Sequence, residues 1–413
     1  MNNGEIKKNL LLMSVVQYSG YLIPLVITPY LTRILGLESY GFLILIQSFM
    51  LLGSLFADYG FSWSMTKKIS ENRNNKIYIS DIFIAGLCIQ FSIGIFFFLS
   101  LYAYKEFFSS ALTTIDIILG FPILIGQVLY TPWMYQGLEI FKYNAFFQLL
   151  GKITILPFIY FFVNERVDVG MALFSMGFPS IIFGLISIYF LYAKKYVLKR
   201  LCDPILIKQI IFEGFTIFIS RVVISSYTNF IPIAIGWFAG PSALGLFSIA
   251  DRVRLLLQSF MQPVSQVLFP RMSWLFSNDI LTARFLLKKS LIWCFFLSTA
   301  LSISAYFIGD KIIFLLAGED FSDAYDVLKI LLFIPPVISI SGIIGLQYML
   351  PKGLNKDFLL IVGFGALVFI LSAKFFIENY YVLGASYLIL FVEIIISLLM
   401  IFYLYRNKYF LDN

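Results

Sequence analysis

Apolar segments long enough to cross a bilayer follow one another along the whole 413-residue chain. A helix rises 1.5 Å per residue, so about 20 apolar residues span the ~30 Å hydrocarbon layer. The strands of a membrane barrel would instead alternate polar and apolar residues over about ten positions. Because 60% of the residues are hydrophobic and only 13% are charged, we predict an all-α polytopic membrane protein.

About twelve transmembrane helices are predicted, joined by short connections. Of the 30 Lys and Arg residues, 20 lie in connections on the N-terminal side, five on the opposite side and five within spans. The positive-inside rule then places both termini in the cytoplasm, and it accounts for the net charge of +7 without a nucleic-acid partner. The predicted spans are residues 10–32, 40–61, 79–104, 114–135, 143–163, 169–193, 212–238, 244–270, 289–316, 324–350, 358–377 and 382–405.

The chain carries signs of an internal duplication. Gly36 and Gly41 lie between the first two spans, and Gly240 and Gly245 repeat their spacing between spans seven and eight, 204 residues later. Six spans separate the copies, and this even number gives both halves the same direction in the membrane, as in a parallel repeat. We therefore expect two parallel six-helix lobes, 1–206 and 207–413, around a central cleft.

Charged residues occur deep inside two of these spans. Arg221 lies within 212–238, and Asp251, Arg252 and Arg254 lie within 244–270. A charge at the centre of a membrane helix costs about 2.5–3.5 kcal/mol, so such residues usually face a partner, a cavity or a ligand. Nine residues at 1.5 Å place Arg221 and Arg254 about 14 Å from the start of their spans, near the predicted midplane. Arginine binds phosphate oxygens with paired hydrogen bonds, so we predict a phosphate or pyrophosphate site.

The embedded charges also have simpler interpretations. Asp251 and Arg254 are three residues apart on one helix face, and they could neutralise each other as a structural pair. Arg252 projects about 160° away from Arg254, so it could instead lie at a lobe interface or extend to the membrane surface. The helix face of Arg221 contains no acidic residue, which makes Arg221 the best substrate contact. The predicted polar faces also contain Gln17, Ser225, Thr228, Asn229, Gln258, Gln262 and Ser265, of which Gln17, Asn229 and Gln258 are candidate substrate contacts.

Two acids are candidates for binding a coupling ion, H⁺ or Na⁺. Glu393 lies in the middle of a span, although a protonated, hydrogen-bonded carboxyl is an alternative. Asp58 lies near the end of span two, where it could simply cap its helix. No metal site or cofactor is predicted, because the chain has no histidine and its three cysteines lack ligand spacing. Trp133 and Tyr135 are interpreted as membrane-interface aromatics.

No catalytic motif occurs in the sequence, so a membrane transporter is predicted and not an enzyme. At five stretches the chain resembles the polysaccharide-unit flippases (Wzx-type O-antigen translocases) of the multidrug, oligosaccharidyl-lipid and polysaccharide exporter superfamily. The resemblance covers essentially the whole chain. The stretches are PYLTRILGLESYG (29–41), ADYGF (57–61), TPWMYQGLE (131–139), GLFSIADR (245–252) and FPRMS (269–273).

The resemblance implies a V-shaped pair of six-helix lobes whose first, second, seventh and eighth spans line the cavity. It also implies the substrate, an undecaprenyl-pyrophosphate-linked repeat unit of O-antigen or a related surface polysaccharide. Such a flippase works by alternating access and moves this unit from the cytoplasmic to the periplasmic leaflet of the bacterial inner membrane, as part of lipopolysaccharide biosynthesis. The bilayer is the other expected partner, and whether polysaccharide polymerase machinery also binds stays open.

Two other functions remain as alternatives. A cation-coupled drug exporter of the same superfamily would be expected to have acids and aromatics in its cleft in place of net-positive helix faces. A polysaccharide polymerase would typically contain a large outer loop with charged residues, whereas every predicted outer connection here is short.

Overall fold

The computed structural model describes residues 3–108, 113–201 and 203–406. Within these ranges the side chains of residues 3–13, 107–108, 216–217, 220, 223–228, 262–267 and 270 lie outside the description. The helices are α1 Asn3–Asp58, α2 Phe61–Glu71, α3 Lys76–Phe108, α4 Thr114–Leu129, α5 Pro132–Gly137, α6 Phe141–Phe162, α7 Val169–Ala193, α8 Pro204–Phe238, α9 Gly240–Ser259, α10 Gln262–Asn278, α11 Ile280–Ala317, α12 Ala324–Leu331, α13 Ile334–Ile344 and α14 Asn355–Arg406. A 3-10 turn, Glu319–Phe321, precedes α12, and a π-helical turn, Gly345–Met349, follows α13.

The predicted fold class is confirmed. The described ranges are helical apart from turns and short connections, and contain no strand. Among the described residues, eight helical stretches are long and apolar enough to cross a membrane. Asn355–Arg406 includes two of the predicted spans, and Ser14–Glu71 includes one and most of another. The total of twelve spans stays a prediction.

Kinks divide these two long stretches. Gly36 in α1 has φ 73° and ψ 178°, and Tyr381 in α14 has φ 50° and ψ −134°. Neither conformation is helical, and both residues fall in connections that the sequence predicts between spans. The kinks thus mark predicted span boundaries inside apparently continuous helices.

Other predicted spans are broken where the apolar sequence continues. Span 114–135 breaks at Tyr130 and Thr131, after which Pro132 begins α5. Span 244–270 becomes α9 and α10, and span 324–350 becomes α12, α13 and the π-helical turn. Proline lacks a backbone N–H and fits the first turn of a helix, where that donor has no helical partner, so Pro132 suits a new helix start. Hydropathy alone does not detect such breaks, because the residues around them remain apolar.

The chain divides into two compact units, Met1–Val222 and Val223–Asn413, with the boundary inside α8. The predicted lobes 1–206 and 207–413 stay a prediction. In the N-terminal unit, α1 packs against α3, α4, α6 and α7. In the C-terminal unit, α9 packs against α11, α12, α13 and α14, so the helix of Arg254 has neighbours from several elements.

Glycines bring α4 and α7 of the N-terminal unit into close contact. A Cβ atom at Gly177 would lie 2.3 Å from the backbone nitrogen of Ile123, and one at Gly126 would lie 2.6 Å from the Cβ of Ser180. Small residues allow membrane helices to approach closely, and packing then supplies much of their association energy. The α4–α7 contact therefore depends on the absence of side chains at these positions.

The aromatic residues interpreted as interfacial belong to a core of the N-terminal unit. Trp133 and Tyr135 are each 1% exposed, and they pack with Phe61, Met65 and their neighbours. The Tyr135 hydroxyl donates a hydrogen bond to the Ser187 carbonyl at 2.8 Å. The interface interpretation is wrong, because α5 turns these side chains inward after the break at Thr131.

Candidate functional site

Arg221 forms an ion pair with Asp58 inside the N-terminal unit. Arg221 Nη1 donates to Asp58 Oδ2, and the Ser62 hydroxyl donates to Asp58 Oδ1 at 2.7 Å. The side chains of Arg221 and Asp58 are 32% and 23% exposed. The predicted substrate contact and the predicted coupling acid are therefore neighbours, although 163 residues separate them in the sequence.

The turn after α1 places Asp58 against α8. Asp58 is the last residue of α1, and Tyr59 and Gly60 both have positive φ angles, 46° and 75°. Glycine adopts this region at little cost, whereas tyrosine rarely does. The turn directs the Tyr59 ring onto Phe218 of α8, with ring centroids 4.7 Å apart and a 16° angle between the planes.

Further contacts hold the first part of α8 in the N-terminal unit. The Tyr59 hydroxyl donates to the Ile211 carbonyl at 3.1 Å, and Lys68 forms an ion pair with Glu213. Gly214 faces the Tyr59 ring, where an added Cβ would be 3.2 Å from the nearest ring carbon. Arg221 is thus positioned by a packed helix segment, and its depth in the membrane stays a prediction.

Arg254 occupies the polar face of α9 in the C-terminal unit. Its Nε donates to Asp251 Oδ1 at 2.6 Å, and its Nη1 donates to Gln258 Oε1 at 2.9 Å. The side chains of Arg254 and Asp251 are 12% and 21% exposed. This geometry agrees with the alternative that Asp251 and Arg254 neutralise each other as a structural pair. These two contacts use two of the five N–H donors of a guanidinium.

The remaining substrate candidates stay predictions. Gln17, Arg252 and Asn229 are partly buried, and each has interactions with other residues. The side chains of Ser225, Thr228, Gln262 and Ser265, which complete the predicted polar faces, lie outside the described residues. Helix α9 ends at Ser259, five residues after Arg254, so the polar face of the predicted span 244–270 belongs to two helices.

The two coupling candidates have different environments. Glu393 is only 4% exposed within α14 and has interactions with its surroundings. Asp58 is more accessible and is held by Arg221 and Ser62. Among the described residues, no group of three or more His, Cys, Asp or Glu side chains could hold a metal ion.

Comparison with known proteins identifies the family. The family described as "Polysaccharide biosynthesis protein" matches residues 6–276, which is more than half of the chain. The chain belongs to this family. That match spans both arginine positions and the duplicated glycine turns.

Two proteins that are similar to this chain share the name "Putative O-antigen transporter". The protein of Escherichia coli (strain K12) is 28% identical over 411 residues, covering 98% of each chain. The protein of Shigella dysenteriae is 30% identical over 407 residues, covering 96% of this chain and 99% of its own. Both are named as transporters and neither as an enzyme, in agreement with the predicted membrane transporter.

Solved structures share the fold of this family member. The lipid II flippase MurJ in an inward closed conformation has a TM-score of 0.75 at 15% identity, covering 97% of this chain and 89% of MurJ. A multidrug resistance MATE transporter in an outward-facing conformation has a TM-score of 0.65 at 13% identity, covering 99% and 96%. At this identity the likeness establishes only the fold.

Sequence reasoning missed two parts of the site. Arg221 and Asp58 are each singled out, but nothing in the spacing joins them, because their contact depends on how α8 packs against α1. Ser62 lies four residues after Asp58, but the positive φ angles of Tyr59 and Gly60 interrupt the helix between them, so helical spacing does not predict this contact.

Proposed function

We propose that this protein is a flippase for a lipid-linked oligosaccharide. The substrate is an undecaprenyl-pyrophosphate-linked repeat unit of O-antigen or a related surface polysaccharide. The protein moves it from the cytoplasmic to the periplasmic leaflet of the bacterial inner membrane by alternating access, with both of its own termini in the cytoplasm. The observation that carries the proposal is similarity over almost the whole chain to two O-antigen transporters, together with partly buried arginines in two apolar helices.

The arginines would bind the pyrophosphate. An anion of this charge enters hydrocarbon only if cations replace its water shell. A guanidinium suits this task because its planar fork matches two phosphate oxygens, and it stays charged at all relevant pH values. Asp251 and Gln258 hold Arg254 in place, so its guanidinium is oriented before the substrate arrives.

The pairing of Arg221 with Asp58 links substrate binding to ion coupling. A phosphate that binds Arg221 would compete with the Asp58 carboxylate for the same guanidinium. The carboxylate, once displaced, would be free to take up a proton or Na⁺. Such exchange of partners gives the two facing states different affinities for the substrate, which an alternating-access cycle needs. Glu393 is the second candidate for the coupling ion.

The test is complementation of a strain that makes the lipid-linked unit but lacks its flippase. We expect Arg221→Ala and Arg254→Ala to abolish surface polysaccharide and to accumulate the lipid-linked unit, at normal membrane levels of protein. Lys67→Ala removes the same charge from a side chain that is 76% exposed in α2, and it should support normal assembly.

A double variant separates substrate binding from charge balance. Arg254→Ala leaves Asp251 without this partner, whereas Arg254→Ala/Asp251→Ala removes both charges. If Arg254 binds substrate, the double variant stays inactive. Restored assembly in the double variant would show that Arg254 only balances Asp251. Full assembly in both arginine variants would refute the proposed phosphate site.

A further inference from the structure

An apolar groove crosses the surface of the C-terminal unit. It encloses about 420 Å³ between α11, α13 and α14. Leu291, Ile292, Phe295 and Phe296 of α11 form one wall, and α13 and α14 supply the other lining residues. The proposed transport mechanism uses none of these side chains.

The groove has a buried floor and an exposed rim. Ile344 of α13 and Leu404 of α14 are buried in the floor, whereas Phe296 is 65% exposed at the rim. The Ser397 hydroxyl of α14 donates a hydrogen bond to the Val337 carbonyl of α13 at 3.1 Å, which joins two of the three helices. The packing of the C-terminal unit therefore fixes the shape of the groove and leaves one side of it open.

The groove lies near the predicted inner end of its helices. Leu291 and Phe296 are two and seven residues after the start of the predicted span 289–316, and Leu404 is one residue before the end of 382–405. The positive-inside rule places both of these span ends at the cytoplasmic face. The stretch from Leu291 to Phe296 covers about 8 Å of helix axis, which fits within the ~15 Å of one leaflet. We therefore expect the open side of the groove to face the inner leaflet.

Positive side chains lie at the inner end of this groove. Lys288 precedes Leu291 by three residues and Ile292 by four, so the three side chains share one face of α11. Lys289 is also exposed, and the exposed Arg406 is the last residue of α14. Within the described C-terminal unit, the ion pairs involve other cations than these three.

Two acids on the predicted inner side have partners of their own. Asp279, nine residues before Lys288, accepts a hydrogen bond from the Thr282 N–H at 3.1 Å and caps the start of α11. Asp357 at the start of α14 accepts a hydrogen bond from the Tyr403 hydroxyl at 2.9 Å. Three cations therefore face two acids that other groups hold, and the inner end of the groove keeps a positive balance.

This combination of an apolar groove and nearby cations favours one class of lipid. An acyl chain gains little by leaving the bilayer for an apolar groove, because lipid tails are themselves apolar. Selection among lipids therefore depends on the headgroup. A basic residue near the membrane surface increases the affinity for an anionic lipid by about fivefold.

We propose that the groove and its cations bind an anionic phospholipid of the inner leaflet. One acyl chain would lie along the apolar wall of α11, and the lipid phosphate would contact Lys288. Lys289 and Arg406 would strengthen the positive potential at the headgroup. This lipid is a resident of the membrane and not the transported unit, so failure of this proposal would leave the flippase proposal intact.

The experiment measures thermal unfolding of the purified full-length protein in neutral detergent at constant ionic strength. Phosphatidylglycerol and phosphatidylcholine with identical acyl chains are titrated as mole fractions of the micelle. We expect phosphatidylglycerol to raise the unfolding midpoint in a saturable manner. Its half-saturation should occur at a mole fraction about fivefold lower than that of phosphatidylcholine. Equal half-saturation for the two lipids would overturn the proposal.

Two further titrations test what occupies the groove. Glycerol 3-phosphate has the phosphate without a chain, and undecaprenyl phosphate has a prenyl chain in place of acyl chains. We expect no stabilisation by glycerol 3-phosphate at matched phosphate concentration, and weaker binding of undecaprenyl phosphate than of phosphatidylglycerol. Full stabilisation by glycerol 3-phosphate would show that the groove has no role. Tighter binding of undecaprenyl phosphate would make the groove a substrate site, and either result would refute a resident phospholipid.

A matched pair of charge variants tests the cations. Lys288→Gln/Lys289→Gln should weaken half-saturation by phosphatidylglycerol at least fivefold and leave that by phosphatidylcholine unchanged. Lys194→Gln/Lys195→Gln removes two adjacent exposed positive charges that follow α7, on the same predicted side of the membrane, and should bind like the wild type. Equal phosphatidylglycerol binding by the two double variants would contradict the assignment of the headgroup.

A second matched pair tests the groove itself. Ile401 of α14 lines the groove and is 43% exposed, whereas its neighbour Phe402 is 61% exposed and lies outside the lining. Because both side chains are exposed, tryptophan at either position should be compatible with folding. We expect Ile401→Trp to fill the groove and weaken binding of both phospholipids, and Phe402→Trp to bind like the wild type. Unchanged binding in Ile401→Trp would refute the acyl-chain site.

Discussion

At the residue scale, two partly buried arginines each pair with a carboxylate, one on its own helix and one on another helix. Arg254 pairs with Asp251 one helical turn away, whereas Arg221 pairs with Asp58 of a different helix. The first pair follows from a three-residue spacing that can be read in the sequence. The second depends on the Tyr59–Gly60 turn and on the stacking of Tyr59 against Phe218. Local pairs are therefore predictable, and pairs between helices are not.

The Arg221–Asp58 pair should contribute measurably to stability. In a double-mutant cycle with Asp58→Asn and Arg221→Gln, we expect a coupling free energy of about 1 kcal/mol, because the pair is partly buried. Lys67 and Glu71 form an ion pair of 3.9 Å whose side chains are 76% and 58% exposed. Their cycle should show no measurable coupling. The readout is the thermal unfolding midpoint in detergent, and equal coupling in the two cycles would contradict a stabilising role.

At the element scale, helix contacts and breaks depend on small residues and prolines. Glycines allow α4 and α7 to touch, and Pro132 begins a new helix inside an apolar run. Because the helix breaks just before Pro132, the Trp133 side chain points into the core. An interpretation of Trp133 as a membrane-interface residue, based on its sequence position, does not predict this burial. Apolar composition identifies membrane helices, but it does not reveal which faces are buried.

Gly177→Ala should damage the α4–α7 contact. The new Cβ would lie 2.3 Å from the Ile123 backbone nitrogen and 2.4 Å from the Pro122 carbonyl carbon, and backbone atoms cannot move aside. We expect a loss of about 1–3 kcal/mol in stability, as for other overpacked cores. Gly151→Ala in α6 is the control, because its Cβ would lie 3.8 Å from the nearest atom, an ordinary contact. The thermal unfolding midpoint is measured for both variants. Similar midpoints for Gly177→Ala and Gly151→Ala would argue against tight packing at Gly177.

At the scale of the whole molecule, the duplication seen in the sequence has a counterpart in the backbone. Gly36 and Gly240, which are 204 residues apart, have φ angles of 73° and 87°. Gly36 lies between the first and second predicted spans, and Gly240 lies between the seventh and eighth. Both glycines therefore adopt a positive φ that favours glycine over other residues.

Alanine at either turn glycine should be costly. We expect Gly36→Ala and Gly240→Ala each to lower stability by about 1–3 kcal/mol, because a Cβ is strained at positive φ. Gly342 lies inside helix α13, and an added Cβ would meet nothing within 4 Å. Gly342→Ala should be neutral or gain about 0.5–1 kcal/mol from helix propensity. Unfolding midpoints that fall equally in all three variants would show that backbone conformation is not the cause.

The sequence by itself determined the class of protein, the apolar helices, the duplicated turn and the local Asp251–Arg254 pair. These features depend on composition or on neighbours within a few residues, which a linear reading captures. Only the tertiary structure decided that Arg221 meets Asp58 and that Trp133 is buried. Such contacts join residues distant in the chain, and they are set by breaks and close helix packing that hydropathy does not record.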